Sequence, residues 1–131
     1  MSHDIEILGD GCAALSLAAR ADEIKHNITL IRPNNAPKAR DHVWGFWSDT
    51  VLQDAVKIAR GTWNKWAIIT KEDCAVLESN NKPYNAFKRS DWTAHCKNLA
   101  EQSGVKIISE ADWQKSSQAL LFDTSPPIVP D

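Results

Sequence analysis

Residues 4–20 read DIEILGDGCAALSLAAR, and this order of residue types predicts the first elements of the fold. Its first part, from Ile5 to Leu8, is a short apolar run that predicts a buried strand. A glycine-rich turn follows, and the alanine- and leucine-rich segment after it favours a helix that continues to about Ile24. A second strand, rich in β-branched residues, is predicted from Ile28 to Ile31. Strand, glycine turn, helix and strand follow one another as in a βαβ unit.

The turn has the form Gly9-x-Gly11-x-x-Ala14, which is the spacing of a dinucleotide-binding fingerprint. Gly9 permits a tight turn, Gly11 lets a pyrophosphate approach the backbone, and Ala14 is small enough for close packing of helix against sheet. The amides of Cys12 and Ala13 belong to the positive end of the helix, which favours phosphate. We therefore predict that these five residues bind a dinucleotide cofactor. The alternative is a glycine-rich turn of a doubly wound fold that binds nothing.

The end of the second strand departs from the fingerprint. An acidic residue that binds the ribose hydroxyls is expected there, about 20 residues after the glycines, but the chain has Arg32. Arginine carries no hydrogen-bond acceptor, so three interpretations stay open: it contacts the 2′-phosphate of NADP instead, it binds the flavin more weakly, or it marks a lost site. We include Arg32 among the cofactor-binding candidates. Asp10, inside the turn, also places a negative charge near the predicted pyrophosphate, which disfavours binding unless the side chain points away.

The rest of the chain continues the alternation of strands and helices. A proline-containing polar segment starts at residue 33, and a short helix is expected within 48–56. Strands at 63–70 and 75–77 predict an inserted antiparallel set. Ser90 is the expected N-cap of a helix over 91–102, and further strands are expected at 105–108 and 119–122. We predict an α/β fold: a Rossmann-like parallel sheet with inserted antiparallel strands. It forms one domain over 1–131, with an excursion at about 33–89.

Composition excludes several classes of protein. The formal net charge is -2, and no basic stripe is available to neutralise nucleic-acid phosphates. The longest apolar stretches are about eight residues, against roughly 20 for a membrane span. The N-terminus lacks the pattern of a secretory signal. The three cysteines show no Cys-x-x-Cys spacing, so neither a disulfide framework nor a zinc site is expected. The expected compartment is the cytoplasm.

Other chemistry-bearing residues form weaker patterns. Trp44, Phe46 and Trp47 could border an apolar tunnel, but a core cluster is the favoured interpretation. His42 could act in acid–base chemistry, although a solvated loop is favoured because no second group accompanies it. The neighbours His95 and Cys96 point about 100° apart on a helix and do not form a pair. A modest basic loop, which contacts phosphate or is simply solvated, contains Arg32, Lys38 and Arg40. We assign no catalytic residue and no metal ligand.

Five segments together resemble bacterial flavin-dependent lycopene β-cyclases. The glycine turn is similar to that family's G-x-G-C-A-G-L-S-L-A segment, and DHVWGFW at 41–47 resembles its D-x-T-W-x-F-W segment, with Val43 in place of the threonine. Similar pieces recur in the same order at 63–66, 83–87 and 123–127. The last resembles D-S-R-P-P, with Ser125 in place of the arginine. The resemblance covers nearly the whole chain.

The resemblance implies an FAD-binding portion of a carotenoid-processing enzyme that closes the ends of lycopene into rings without net redox change. Family members are about three times as long, a two-domain size, and their substrate-binding half has no counterpart here. We expect a fragment or a shortened relative, inactive alone. It would meet a carotenoid, and a membrane surface peripherally, only with the other half. The alternatives are a non-catalytic module that binds NADP or FAD, and an inactive remnant. The oligomeric state stays open.

Overall fold

The structure is a computed structural model, and it describes residues 4–36 and 40–126. The chain divides into two compact units, Met1–Ala39 with Thr93–Asp131, and Arg40–Trp92. The strands are Ile5–Leu8 (β1), Ile28–Arg32 (β2), Val43–Trp47 (β3), Gly61–Trp63 (β4), Lys65–Ile69 (β5), Cys74–Glu78 (β6), Tyr84–Lys88 (β7), Lys106–Ser109 (β8) and Leu120–Asp123 (β9). The α-helices are Cys12–Ala18 (α1), Ala21–Ile24 (α2), Gln53–Lys57 (α3) and Arg89–Gln102 (α4).

The first unit is built on a parallel sheet with the strand order β8-β2-β1-β9. Each neighbouring pair of strands is parallel, which requires crossover connections such as α1 between β1 and β2. The prediction of a Rossmann-like parallel sheet is therefore confirmed. The order corresponds to the third, second, first and fourth strands of a doubly wound nucleotide-binding fold.

The core of this unit consists of aliphatic strand residues and small helix residues. Ile7, Leu30 and Ile31 are almost fully buried in β1 and β2, and each contributes roughly 1.5–3 kcal/mol by its burial. On α1, Ala14 and Ala18 are completely buried. They are four residues apart and so share one helix face. Their small side chains allow α1 to lie close to the sheet.

Two predicted helix boundaries were wrong. The helix expected to run to about Ile24 ends at Ala18, because the amide of Arg20 turns back to the Leu17 carbonyl and a separate short helix begins at Ala21. The helix expected over 91–102 starts at Arg89, so Ser90 lies in its first turn. The amide and hydroxyl of Ser90 donate to the carboxylate of Asp41, at 3.0 and 2.9 Å. A distant part of the chain thus contributes hydrogen bonds at the start of the helix.

The second unit contains an antiparallel sheet of order β3-β7-β4 and a separate β5–β6 hairpin. The inserted antiparallel strands are therefore confirmed, but the single strand expected over 63–70 is divided. It separates at Asn64, where the chain passes from pairing with β7 to pairing with β6. The strand β7 was not predicted. It contains a fully buried Asn85 whose side chain bonds to Ser48, Thr62 and the Pro83 carbonyl.

The aromatic residues of the second unit lie on opposite faces of its sheet. Trp44 and Phe46 contact Phe87, with ring centroids 6.2 and 5.2 Å apart, and Phe87 stacks on Trp92. These contacts agree with the core interpretation. Trp47 alternates to the other face, where it is 53% exposed and packs edge-on against Tyr84. The proposed aromatic cluster is thus split by the two-residue period of the strand.

The excursion predicted at about 33–89 overlaps most of the second unit, Arg40–Trp92. Whether both units fold as one domain stays a prediction.

Lys38 of the predicted basic loop and Pro127 of the last resembling segment lie outside the described residues. Within the described residues no helix is long and apolar enough to cross a bilayer.

Candidate dinucleotide-binding site

The glycine turn lies at the carboxyl edge of the parallel sheet, where the strand order reverses. Leu8 at the end of β1 pairs with Ile31 of β2 on one side and Asp123 of β9 on the other. The chain reaches β2 and then β8 on one side of β1, whereas β9 adds on the opposite side. Open α/β sheets form a ligand-binding crevice at such a reversal. The fold therefore places Gly9 at the edge of this crevice.

Gly9 is required by the backbone and by packing. Its φ of 133° lies in a region that side chains rarely adopt. A Cβ at this position would also collide with the hydroxyl of Thr124. The amide and hydroxyl of Thr124 both donate to the Leu8 carbonyl at 2.9 Å, so Thr124 is held against the turn. The first glycine of the motif thus serves the fold.

Gly11 is not required by packing. Its backbone is extended, with φ −83° and ψ −168°, a conformation open to any residue. A Cβ there would meet nothing within 4 Å. Gly11 is also the N-cap of α1, where it supplies no side-chain cap to the first amides. The space beside Gly11 is therefore open, as an approaching ligand would need.

The remaining residues of the motif are arranged as the spacing predicts. Cys12 and Ala13 are exposed in the first turn of α1, where helix geometry leaves amides without an internal partner. Ala14 is fully buried, and its Cβ lies 3.5 Å from the position of a Cβ on Gly9. The turn thus combines one buried packing position with an exposed row of amides. That these residues bind a cofactor stays a prediction.

Arg32 ends β2 at the same edge of the sheet and is exposed. It pairs in register with Ser109, the last residue of β8. The next residue, Glu110, accepts a hydrogen bond from the Asn34 amide at 2.9 Å. A carboxylate therefore does lie beside the loop that follows β2, although none occurs there in the sequence. Sequence reasoning missed it because Asn34 and Glu110 are 76 residues apart.

Two further acidic residues lie around the turn. Asp10 is exposed, so its charge is in contact with water. Asp123, at the end of β9, accepts from the Ser125 side chain and amide, and these bonds lower the pKa of its carboxyl. The segment 123–125 therefore forms a tight turn beside Gly9. This turn positions Thr124 against Gly9. The resemblance to the D-S-R-P-P segment did not indicate this role.

The weaker candidates take part in local contacts. The backbone carbonyl of His42 accepts from the Arg89 amide, while its ring is exposed and lies 5.7 Å from Trp44. Asp41 is engaged by Ser90, which lowers the pKa of its carboxyl. Cys96 is buried in α4. Among the described residues, no group of three or more His, Cys, Asp and Glu side chains could hold a metal ion.

Comparisons with solved structures identify the fold. An oxygenase acting on 2-methyl-3-hydroxypyridine-5-carboxylic acid matches with a TM-score of 0.64 and 18% identity, over 83% of this chain and 32% of that one. CtdE in complex with FAD matches with a TM-score of 0.59 and 14% identity, over 82% and 30%. The flavin-dependent brominase Bmp2 matches with a TM-score of 0.59 and 14% identity, over 82% and 29%. The chain therefore spans about a third of the length of these structures.

No curated protein is significantly similar to the chain in sequence. The family model described as lycopene cyclase protein matches residues 4–115. This range includes the glycine turn, the aromatic strand β3, β7 and α4. The resemblance based on sequence segments is thereby confirmed, and the chain belongs to the lycopene cyclase family.

Proposed function

We propose that this chain binds FAD at the glycine turn, as the flavin-binding portion of a lycopene-cyclase-like enzyme. The observation that carries the proposal is the open space beside Gly11 at the crevice of the parallel sheet. Family membership and the flavin-dependent neighbours of the same fold support it.

Each residue of the turn has a different role in binding. Gly9 sets the direction of the chain, and Ala14 keeps α1 close to the sheet. Gly11 leaves room for the diphosphate, and the amides of Cys12 and Ala13 would donate hydrogen bonds to its oxygens. When bound in reduced form, the flavin would either stabilise the positive charge that develops during ring closure or deliver the proton.

Ligand titration tests the proposal. Purified chain is titrated with FAD, FMN and NADP, and binding is followed by flavin fluorescence and by thermal unfolding. A ligand at 100 times its Kd stabilises a protein by about 2.7 kcal/mol, so saturating FAD should raise Tm by on the order of 10 °C. FMN lacks the adenosine monophosphate half of FAD, and with it the diphosphate linkage, and should bind far more weakly. A Tm unchanged by FAD would contradict the proposal, whereas a rise with NADP alone would favour the NADP-binding module.

Ring closure of lycopene is proposed for the whole enzyme and not for this chain alone, because the chain spans only about a third of the length of its structural neighbours. The carotenoid would be bound by residues outside this chain. In cells that accumulate lycopene, expression of the 131-residue chain alone should therefore leave the pigment unchanged. Carotenoids with closed rings in those cells, detected by chromatography, would show that the chain is a complete enzyme.

A further inference from the structure

The carboxylate of Glu110 connects the loop that follows β2 to the turn that follows β8. Glu110 is partly buried, and its Oε2 accepts the Asn34 amide at 2.9 Å. Asn34 comes two residues after Arg32, the position where the fingerprint expects an acidic residue. The carboxylate is therefore supplied by the turn that follows the neighbouring strand β8, instead of by β2 itself.

A carboxylate at this place has the chemistry that Arg32 lacks. An ionised carboxylate only accepts hydrogen bonds and has about four acceptor sites on its two oxygens. The Asn34 amide uses one of them. The remaining sites can accept from hydroxyl groups, whereas a guanidinium only donates.

The neighbouring acidic residue does not share this position. Asp112 is exposed, and its carboxylate accepts the hydroxyl of Ser109 at 2.7 Å. This bond lies within the short turn after β8. Glu110 and Asp112 thus have equal charge but different partners, which makes Asp112 a matched control.

We propose that Glu110 is the acceptor for the ribose hydroxyls of the adenosine end of the dinucleotide. This inference rests on the proposed function, since it assumes that the diphosphate occupies the glycine turn. It also favours FAD over NADP, because a carboxylate repels a 2′-phosphate at the ribose. The sequence departure at Arg32 is in this way compensated by a residue on β8's side of the sheet.

The proposal is tested by comparing how well ADP and 2′-deoxy-ADP each compete with FAD. Each nucleotide is used to displace FAD from the full chain, and flavin fluorescence gives its inhibition constant. The wild-type chain should prefer ADP by about tenfold, as expected for a hydrogen bond to a charged group. Glu110→Ala should remove this preference, and Glu110→Gln should reduce it while retaining an acceptor for Asn34. Asp112→Asn should leave it unchanged.

The outcomes separate a direct contact from an effect on the loop. If Glu110→Ala weakens ADP and 2′-deoxy-ADP equally, so that the tenfold preference persists, Glu110 only holds the loop and the inference is overturned. The same holds if the wild-type chain binds both nucleotides equally. If the wild-type chain binds neither FAD nor ADP, the proposed function fails first and the inference fails with it. Circular dichroism of each variant verifies that it is folded.

Discussion

Gly9 and Gly11 belong to one motif, but different physical constraints apply to them. Gly9 has a positive φ and no room for a Cβ beside Thr124. Gly11 has an ordinary extended backbone and open space in front of it. A substitution at Gly9 should therefore damage the fold, whereas one at Gly11 should damage only the binding of a ligand.

The pair of variants Gly9→Ala and Gly11→Val tests this distinction. Gly9→Ala should lower the free energy of unfolding by about 2 kcal/mol or more, because it combines backbone strain with a steric collision. Gly11→Val should lower the free energy of unfolding by no more than about 1 kcal/mol, because its side chain fills open space and only the N-cap of α1 becomes poorer. It should nevertheless weaken FAD binding by about 100-fold or more by blocking the diphosphate. Chemical denaturation and flavin fluorescence measure the two effects.

The reverse pattern would contradict the account of the turn. A Gly11→Val variant that binds FAD normally would mean that the open space is not where the diphosphate lies. A Gly9→Ala variant of wild-type stability would mean that Thr124 does not confine the turn.

Sequence reasoning succeeded where neighbouring residues determine the outcome. The spacing from Gly9 to Ala14 was sufficient to place a strand, a tight turn and a helix, because each depends on local backbone preferences. Thr124 and Glu110 could not be predicted from spacing. Their partners, Leu8 and Asn34, are 116 and 76 residues away in the chain, so only the register of the sheet brings them together.

The strand β7 shows most clearly why residue types alone do not predict every strand. Asn, Ala and Lys are depleted in strands, and all three occur in Tyr84–Lys88. The strand forms because it pairs with β3 on one side and β4 on the other. Asn85 is accommodated by hydrogen bonds to three partners, which satisfy the polar group that burial would otherwise penalise.

The first turn of α4 is bonded to Asp41, which precedes Ser90 by 49 residues. Its carboxylate accepts from the Ser90 amide and hydroxyl, and these bonds lower its pKa below the ordinary value of 3.8. A carboxyl whose pKa is lower in the folded chain stabilises the fold above its unfolded pKa. That contribution is lost as the pH falls through the lower, folded value.

We therefore expect Asp41→Asn to lower Tm at pH 7 and to lower it progressively less below about pH 3.8. The two Tm values should converge as Asp41 of the wild-type chain becomes protonated, because both side chains are then uncharged. Thermal unfolding followed by circular dichroism between pH 7 and pH 2.5 measures the difference. A difference that stays constant over this range would show that the charge of Asp41 does not stabilise the helix start.

At the scale of the whole molecule, the sequence predicted the parallel sheet but not the order of its strands. That order depends on the side of β1 to which β9 adds, which no local pattern specifies. Large apolar side chains are exposed on β9 and on the β5–β6 hairpin, including Leu120, Phe122 and Ile69. Exposed apolar surface of this kind is typical of interaction sites.

The proposed binding of the FAD diphosphate by the amides of the glycine turn can be measured residue by residue, by titration of ¹⁵N-labelled chain with ADP followed by amide chemical shifts. The largest changes should occur at Gly11, Cys12 and Ala13, with smaller changes at Asn34 and Thr124. Changes concentrated instead in the open polar depression of about 340 Å³ lined by Ser48, Asp49, Thr50, Gln53, Asn81 and Lys82, or no changes at saturating ADP, would contradict it.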